Sequence, residues 1–120
     1  MAVENNLYHY RATVQSVYDG DTCTVDIDLG LSTWVHSEKL RLYRINAPEV
    51  RGAEREEGLR SRDFLRELID GKAIVVQTIK DRKGKYGRYL AEIWLAGEDG
   101  EWININDLIV QEGYAQYADY

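Results

Sequence analysis

The chain has 120 residues, of which 44% are hydrophobic and 30% charged, and its formal net charge is −6. This length predicts one domain spanning residues 1–120. The composition predicts a soluble protein, because no apolar run approaches the roughly 18 residues of a membrane-spanning helix. The acidic balance argues against a protein that coats nucleic acid, since such binding neutralises many phosphates with basic residues.

Three strands are predicted in the first half of the chain. Residues 11–18 and 22–29 alternate β-branched or apolar residues with polar ones, and Asp19-Gly20 between them is a strong hairpin signal. The alternation returns over residues 39–45, while the stretch around Trp34 has no clear period. We expect the first two strands to form an antiparallel hairpin that opens the fold.

Pro48, the only proline of the chain, stops the third strand and is followed at once by Glu49. Proline lacks the amide donor that a sheet requires, and it holds the preceding residue in an extended conformation. We therefore expect the chain to leave the sheet at a rigid exit, from which the Glu49 carboxylate can be aimed.

The second half predicts a long helix, two strands and a short helix. Residues 54–70 carry a helical stripe of apolar side chains among arginines and glutamates, and Gly71 follows as a stop. Residues 73–79 and 89–95 read as strands, and residues 104–111 as a short helix. The order predicts a mainly β fold with α: a five-stranded Greek-key barrel of the OB type, with the long helix between strands three and four.

Charge is sorted along the chain rather than spread evenly. Residues 80–88 contain five basic side chains and one acidic one, whereas residues 89–120 contain seven acidic side chains and no lysine or arginine. A compact basic corner on an acidic body favours binding of a few phosphates over tracking along a long duplex. The expected partners are therefore small or flexible nucleic acids.

Two acidic corners complement this basic corner. The first is Asp19-Gly20-Asp21-Thr22, and the second contains Glu49. Asp-Gly is ordinary turn chemistry that needs no metal, but Asp21 adds a second carboxylate, and a hard cation collects oxygen ligands from separate chain segments. Two acidic corners and one basic corner together suggest a metal and a phosphate.

The three motifs resemble, in order and spacing, those of the staphylococcal nuclease-like, or thermonuclease, family. They are residues 19–22 (DGDT), residues 41–49 (RLYRINAPE) and residues 85–88 (KYGR), with the predicted long helix between the second and the third. The resemblance covers about residues 11–117. It implies an OB-type barrel and calcium-dependent cleavage of DNA and RNA phosphodiesters.

The resemblance also implies roles for single residues. Glu49 activates or positions the attacking water, and Arg41 with Arg88 clamps the phosphate. Strand arginines are most often surface residues, but a planar guanidinium can hold two phosphate oxygens at once. Lys85 and Tyr86 match positions that bind a terminal phosphate.

By the same resemblance, calcium is held by Asp21, Asn46 and the backbone carbonyl of Ala47, while Asp19 shapes the turn or supports the site indirectly. Asn46 departs from the family, which usually has an aspartate at that position. An amide offers a carbonyl oxygen without charge, so we expect weaker calcium binding or a different metal preference. The alternative is that Asn46 only caps the turn before Pro48.

Two functions follow. The first is a metal-dependent endonuclease, a hydrolase of ester bonds in single-stranded or frayed DNA and RNA. The second is a nuclease-fold module that binds nucleic acid with little or no catalysis; the neutral Asn46 favours it, and the joint presence of Arg41, Glu49 and Arg88 opposes it. A structural or protein-binding barrel would leave the three motifs unexplained.

Other residues and the start of the chain complete the expectations. Tyrosines that can stack on a base, or belong to core and rim, are Tyr114, Tyr117 and Tyr120. Structural or surface positions are expected for His9 and His36, a surface or substrate-rim position for Arg44, and a half-buried strand position for Cys23. Residues 1–6 lack the pattern of a secretory signal, so the protein is expected in the cytoplasm or exported from a longer precursor.

Overall fold

The computed structural model describes Glu4, residues 7–84 and residues 86–119, without the side chains of Asp81 and Arg82. The strands are β1 His9–Asp19, β2 Thr22–Gly30, β3 Thr33–Leu42, β4 Ile45–Asn46, β5 Ala73–Lys83, β6 Tyr89–Ala96, β7 Trp102–Asn104 and β8 Gln116–Tyr117. The helices are α1 Arg55–Ile69 and α2 Ile105–Gln111, with a 3₁₀ turn, Gly52–Glu54, before α1. Within the described ranges, neither helix is both long and apolar enough to cross a membrane.

Five of the strands form a closed barrel. They pair in the order β3-β2-β1-β5-β6, and β3 also pairs with β6, which joins the two ends of the sheet. The β3–β6 pairing is parallel and the others are antiparallel, while β7 extends the sheet beside β6. The predicted mainly β fold of the OB type, with α1 between the third and fourth barrel strands, is confirmed.

One apolar cluster joins the barrel to both helices. Alternation along each strand points every second side chain into the barrel. The largest buried apolar residues are Leu40, Leu42, Ile45, Leu65, Ile69, Ile93, Ile105 and Ile109. Since burying such a side chain contributes roughly 1.5–3 kcal/mol, this cluster fixes α1 against the barrel.

Cys23 belongs to this cluster and is only 1% exposed, so it is fully buried and not half-buried. Its strand partners are Val17 and Leu40, both of which face inward. Burial raises the pKa of the Cys23 thiol to about 12, which keeps the thiol protonated and unreactive.

Strand β3 begins six residues before the predicted position, because a bulge hides its period. Opposite Asp26, the pairing steps from Val25↔Glu38 to Ile27↔Val35, so β3 contains an extra residue there. Ser37 has a φ of 59°, and its N–H donates to Asp26 Oδ1 at 2.9 Å. The insertion shifts the alternation by one position, and the stretch around Trp34 therefore reads as irregular.

Candidate active site

A cleft of about 1160 Å³ lies where the β1–β2 turn, the exit from β4 and the β5–β6 connection meet. Residues from all three motif segments line it. They are Asp19, Asp21, Thr22, Arg41, Asn46, Glu49, Tyr86 and Arg88. Ala47 contacts the site through its backbone, and Lys85 lies outside the described residues.

Asp21 connects the segments. Its Oδ2 accepts a hydrogen bond from the backbone N–H of Ala47 at 2.8 Å and lies 3.3 Å from Arg41 Nη2. Its Oδ1 accepts from the Thr22 hydroxyl at 3.1 Å. Asp21 is 6% exposed, and the partners of its carboxylate come from the turn, from the end of β3 and from the segment after β4.

Asp19 is a second buried carboxylate in the same turn. Its Oδ1 accepts from the Asp21 backbone N–H at 3.0 Å, which is the local bond of an Asx-turn. Burial, and then the negative charge of Asp21, raise the pKa of Asp19 to about 7. The turn therefore holds two carboxylates that repel each other, an arrangement that a bound cation would relieve.

Arg41 is a buried residue and not a surface arginine, because it is only 8% exposed. Its Nη1 donates to the carbonyl oxygens of Leu42 at 2.7 Å and Ile45 at 3.0 Å. Its Nη2 donates to Asn46 Oδ1 at 3.2 Å and forms the ion pair with Asp21. One edge of the guanidinium thus holds the backbone turn, and the other edge faces the oxygen atoms of the cleft.

Arg88 is the last residue of the basic corner and lies directly before β6. Its Nη1 donates to the Thr22 hydroxyl at 3.3 Å, and its guanidinium lies 5.2 Å from the centre of the Tyr86 ring. Tyr86 is 70% exposed. Thr22 therefore links Arg88 to Asp21 through two successive hydrogen bonds.

Asn46 and Glu49 flank the exit predicted at Pro48. Asn46 lies in β4, which pairs with β8 through Asn46↔Gln116, and both Asn46 and Glu49 are exposed. The backbone of Glu49 packs against Gly58 of α1, where a Cβ would overlap the Glu49 carbonyl. Helix α1 therefore fixes the backbone from which Glu49 projects.

Gly20 provides a second close approach. A Cβ at this position would overlap the Ser61 hydroxyl of α1 and the Ala47 side chain. The Ser61 hydroxyl also donates to the Tyr114 carbonyl at 2.8 Å. The Gly20 backbone can contact both neighbours. The acidic turn, residues 19–22, therefore packs directly against the segment after β4 and against α1.

The oxygen atoms that could hold a metal come from two carboxylates and one amide. Within the described ranges, no group of three or more His, Cys, Asp and Glu side chains is arranged to hold a metal ion. Asp19, Asp21 and Asn46 nevertheless line the same cleft and offer only oxygen donors. Such a set suits a hard cation, with less negative charge than three carboxylates would supply.

Several expected candidates lie away from the cleft. Tyr114 stacks on Phe64 with 4.4 Å between ring centres, and the Tyr117 hydroxyl donates to Asp107. Neither of these tyrosines lines the cleft, and Tyr120 lies outside the described residues. His9 stacks on Trp94, and His36 lies 3.3 Å from Asp26, in keeping with structural positions.

Arg44 is an internal cross-link and does not lie at the substrate rim. It forms a two-point ion pair with Glu92, at 2.6 and 2.8 Å, and a third bond to Asp107 at 2.9 Å. Asp107 also accepts from the Tyr117 hydroxyl at 2.8 Å. The network connects the β3–β4 turn to β6, α2 and β8.

Several basic residues of the cleft lie outside the three motifs and were not predicted from the sequence. Its lining contains three acidic residues, and its six basic residues are Lys39, Arg41, Arg51, Arg62, Arg66 and Arg88. Arg62 and Arg66 are four positions apart on α1, so a helical projection places them on one face. The cleft is therefore basic although the whole chain carries −6.

A family model and several known proteins match the sequence of this chain. The family model described as staphylococcal nuclease homologue matches residues 39–120. Thermonucleases of Staphylococcus hyicus and Staphylococcus intermedius are 28% and 27% identical, over 87% and 89% of this chain. An uncharacterized protein of Methanocaldococcus jannaschii is 27% identical over 90% of it. The chain spans 57–59% of the lengths of these relatives.

Proposed function

Because the chain belongs to the family of staphylococcal nuclease homologues, we propose that it is a calcium-dependent nuclease that hydrolyses phosphodiester bonds of DNA and RNA. One observation carries the proposal: three motif segments, distant in the chain, line a single cleft that is basic on an acidic molecule. Such a cleft contacts few phosphates at a time, so the proposed substrates are single-stranded or frayed.

The electrostatics of the cleft favour a polyanionic substrate. Six basic and three acidic residues line it, whereas the chain as a whole has 15 basic and 21 acidic residues. A concave surface with low-dielectric walls concentrates the field of such charges. A phosphodiester is thereby attracted to the cleft and repelled by the rest of the surface.

Calcium is the proposed cofactor, held by Asp21, Asn46 and the backbone carbonyl of Ala47. Support comes from the donor set, which contains only oxygen atoms, and from the neighbouring carboxylates of Asp19 and Asp21, whose repulsion a cation offsets. When bound, the ion lowers the pKa of water and offsets charge on the phosphate.

Glu49 is the proposed general base. Its carboxylate lies at the cleft, directly after the rigid exit at Pro48, and its backbone is braced by Gly58. A carboxylate in this position can orient the attacking water and accept its proton.

Arg41 and Arg88 are the proposed phosphate ligands. The carbonyl contacts of Arg41 Nη1 hold its guanidinium plane, and the Nη2 edge is directed toward oxygen atoms. Arg88 reaches the cleft from the basic corner, with Tyr86 against its guanidinium. Both can donate to phosphoryl oxygens as charge grows on them, and Tyr86 with Lys85 is proposed to bind a terminal phosphate.

The test is cleavage of single-stranded DNA and RNA by the purified chain during titration with calcium, and separately with manganese and magnesium. Glu49→Gln, purified in parallel, controls for contaminating nucleases. Metal-dependent cleavage that this variant lacks would support the proposal. An intact fold with oligonucleotide binding and no cleavage would instead support the alternative, a catalytically silent binding module, which the neutral Asn46 favours.

Asn46→Asp is expected to tighten calcium binding by about tenfold or more. The change restores a charged ligand, and each added carboxylate raises the affinity of an oxygen site for calcium. Calcium titration calorimetry measures the effect. Gln111→Glu, which adds the same charge on an exposed residue outside the cleft, is the control. An unchanged calcium affinity in Asn46→Asp would exclude Asn46 as a ligand.

Gly58→Ala is expected to reduce cleavage at least tenfold while costing about 1 kcal/mol of stability. The added methyl group overlaps the Glu49 backbone, so the general base must move, whereas alanine gains about 1 kcal/mol in helix propensity. Thermal unfolding and turnover measure the two effects. Glu67→Ala, at an exposed position of the same helix, is expected to change neither. Normal turnover in Gly58→Ala would show that Glu49 needs no such support.

A further inference from the structure

A second set of side chains lines the same cleft beyond the acidic turn, and the proposed chemistry does not use them. Tyr18 is 53% exposed, between Val17 at 2% and Asp19 at 7%. Of the exposed aromatic residues in the described ranges, Tyr18 and Tyr86 line the cleft, whereas Tyr8, Trp34, Trp102 and Tyr117 do not. An exposed aromatic face inside a basic cleft is a platform on which a base can stack.

Strand pairing aligns Lys39 with Ser16, which lies two residues before Tyr18 on β1. Ser16 pairs with Thr24, and Thr24 pairs with Lys39, so the three residues form a row across β1, β2 and β3 on the cleft side. The neighbouring row contains the pair Thr22↔Arg41. The two rows are two residues apart along β2, or about 6.6 Å. A nucleic acid strand that crosses from the first row to the second would pass Lys39 and then Arg41.

Helix α1 forms the other wall of this region. Arg66 donates from Nε and Nη2 to the Val17 carbonyl at 3.2 and 3.1 Å, which fixes the helix beside Tyr18. Arg62 lies one helical turn earlier and also lines the cleft. Arg62 forms an ion pair with the adjacent Asp63, whose side chain is 63% exposed. Exposed ion pairs contribute little free energy, so a phosphate can displace Asp63 from Arg62.

We propose that Tyr18, Lys39 and Arg62 form a second nucleotide subsite, in which a base stacks on Tyr18 and its phosphate binds Lys39 and Arg62. The ligand is a single-stranded nucleic acid long enough to extend from the scissile phosphate across β2. The subsite rests on the proposed function, since it binds the nucleotide next to the cleaved bond. It makes affinity depend on substrate length.

The test measures dissociation constants in the Glu49→Gln background, so that the ligand survives. The probes are a single-stranded deoxythymidine decamer, a thymidine dinucleotide and an abasic decamer, all with calcium present. Tyr18→Ala is expected to weaken decamer binding about tenfold and to reduce its advantage over the dinucleotide. The abasic decamer, which has phosphates without bases, is expected to show no such loss. Tyr8→Ala, at a tyrosine that is 52% exposed outside the cleft, is the control and is expected to bind as its parent does.

The phosphate part of the subsite is tested by salt dependence. Arg62→Ala is expected to lower the slope of log affinity against log salt for the decamer by about 0.7, the value for one phosphate contact on a single strand. Arg60→Ala, two positions earlier on α1 and outside the cleft lining, is expected to retain the full slope.

Three results would overturn the subsite: unchanged decamer affinity in Tyr18→Ala, an equal loss with the abasic decamer, or an unchanged salt slope in Arg62→Ala. Cleavage by the chain with Glu49 intact is measured alongside. If the chain cleaves but the variants show no loss of decamer affinity or salt slope, the nuclease proposal stands and the subsite is rejected. If the variants show these losses but the chain does not cleave, the subsite stands and the nuclease proposal is rejected.

Discussion

Glu49→Gln is expected to lower turnover by about 10²–10⁴-fold and to leave the fold intact. The substitution keeps the shape of the side chain but removes the carboxylate proposed to accept a proton, and general-base catalysis contributes a factor of this size. The side chain is exposed, and it has no hydrogen bond or ion pair within the described ranges. Its replacement therefore breaks no hydrogen bond or ion pair among the residues that the structure describes.

Single-turnover cleavage of a single-stranded oligonucleotide, with thermal unfolding in parallel, measures this effect. Glu56→Gln removes an equal charge from an exposed position on α1, outside the cleft, and is expected to keep full activity. The pair separates loss of the base from a general change in electrostatic attraction. Full activity in Glu49→Gln would exclude Glu49 from the reaction.

The motifs of the site were predictable because each is continuous in the sequence. The acidic turn combines a hairpin signal with a second carboxylate, and Pro48 marks the exit that precedes Glu49. Their meeting in one cleft was predictable only through the family resemblance, since the bond from Ala47 to Asp21 spans 26 positions. Periodicity predicts strands but does not by itself determine which strands close a barrel.

The second wall of the cleft was not predictable in the same way. Lys39 reaches the cleft because two successive pairings align it with Ser16, and Tyr18 reads as an ordinary strand residue until α1 packs beside it. Arg44 gives the converse case. Its partner Glu92 is 48 positions away, and no local pattern indicates that a charged side chain next to the motif is a structural cross-link.

The buried contacts of Arg41 also decide which arginine tests the phosphate clamp. Replacing Arg41 removes bonds to the carbonyls of Leu42 and Ile45 and an ion pair to Asp21, so lost turnover there would combine with lost structure. Arg88 is half-buried, with one 3.3 Å bond to Thr22 and a contact with the exposed Tyr86. A change at Arg88 therefore separates catalysis from folding.

Arg88→Lys is expected to reduce turnover about 10²-fold, while the free energy of unfolding changes by less than about 0.5 kcal/mol. Lysine keeps the charge but lacks the planar group that would make the proposed two-point contact with phosphoryl oxygens. Turnover at saturating substrate and denaturant unfolding measure the two quantities. Arg11→Lys, the same change at an exposed arginine of β1 outside the cleft, is the control. Equal turnover in Arg88→Lys would mean that Arg88 contributes only attraction, and Arg41 would then be the remaining candidate for stabilising the charge that develops on the phosphate.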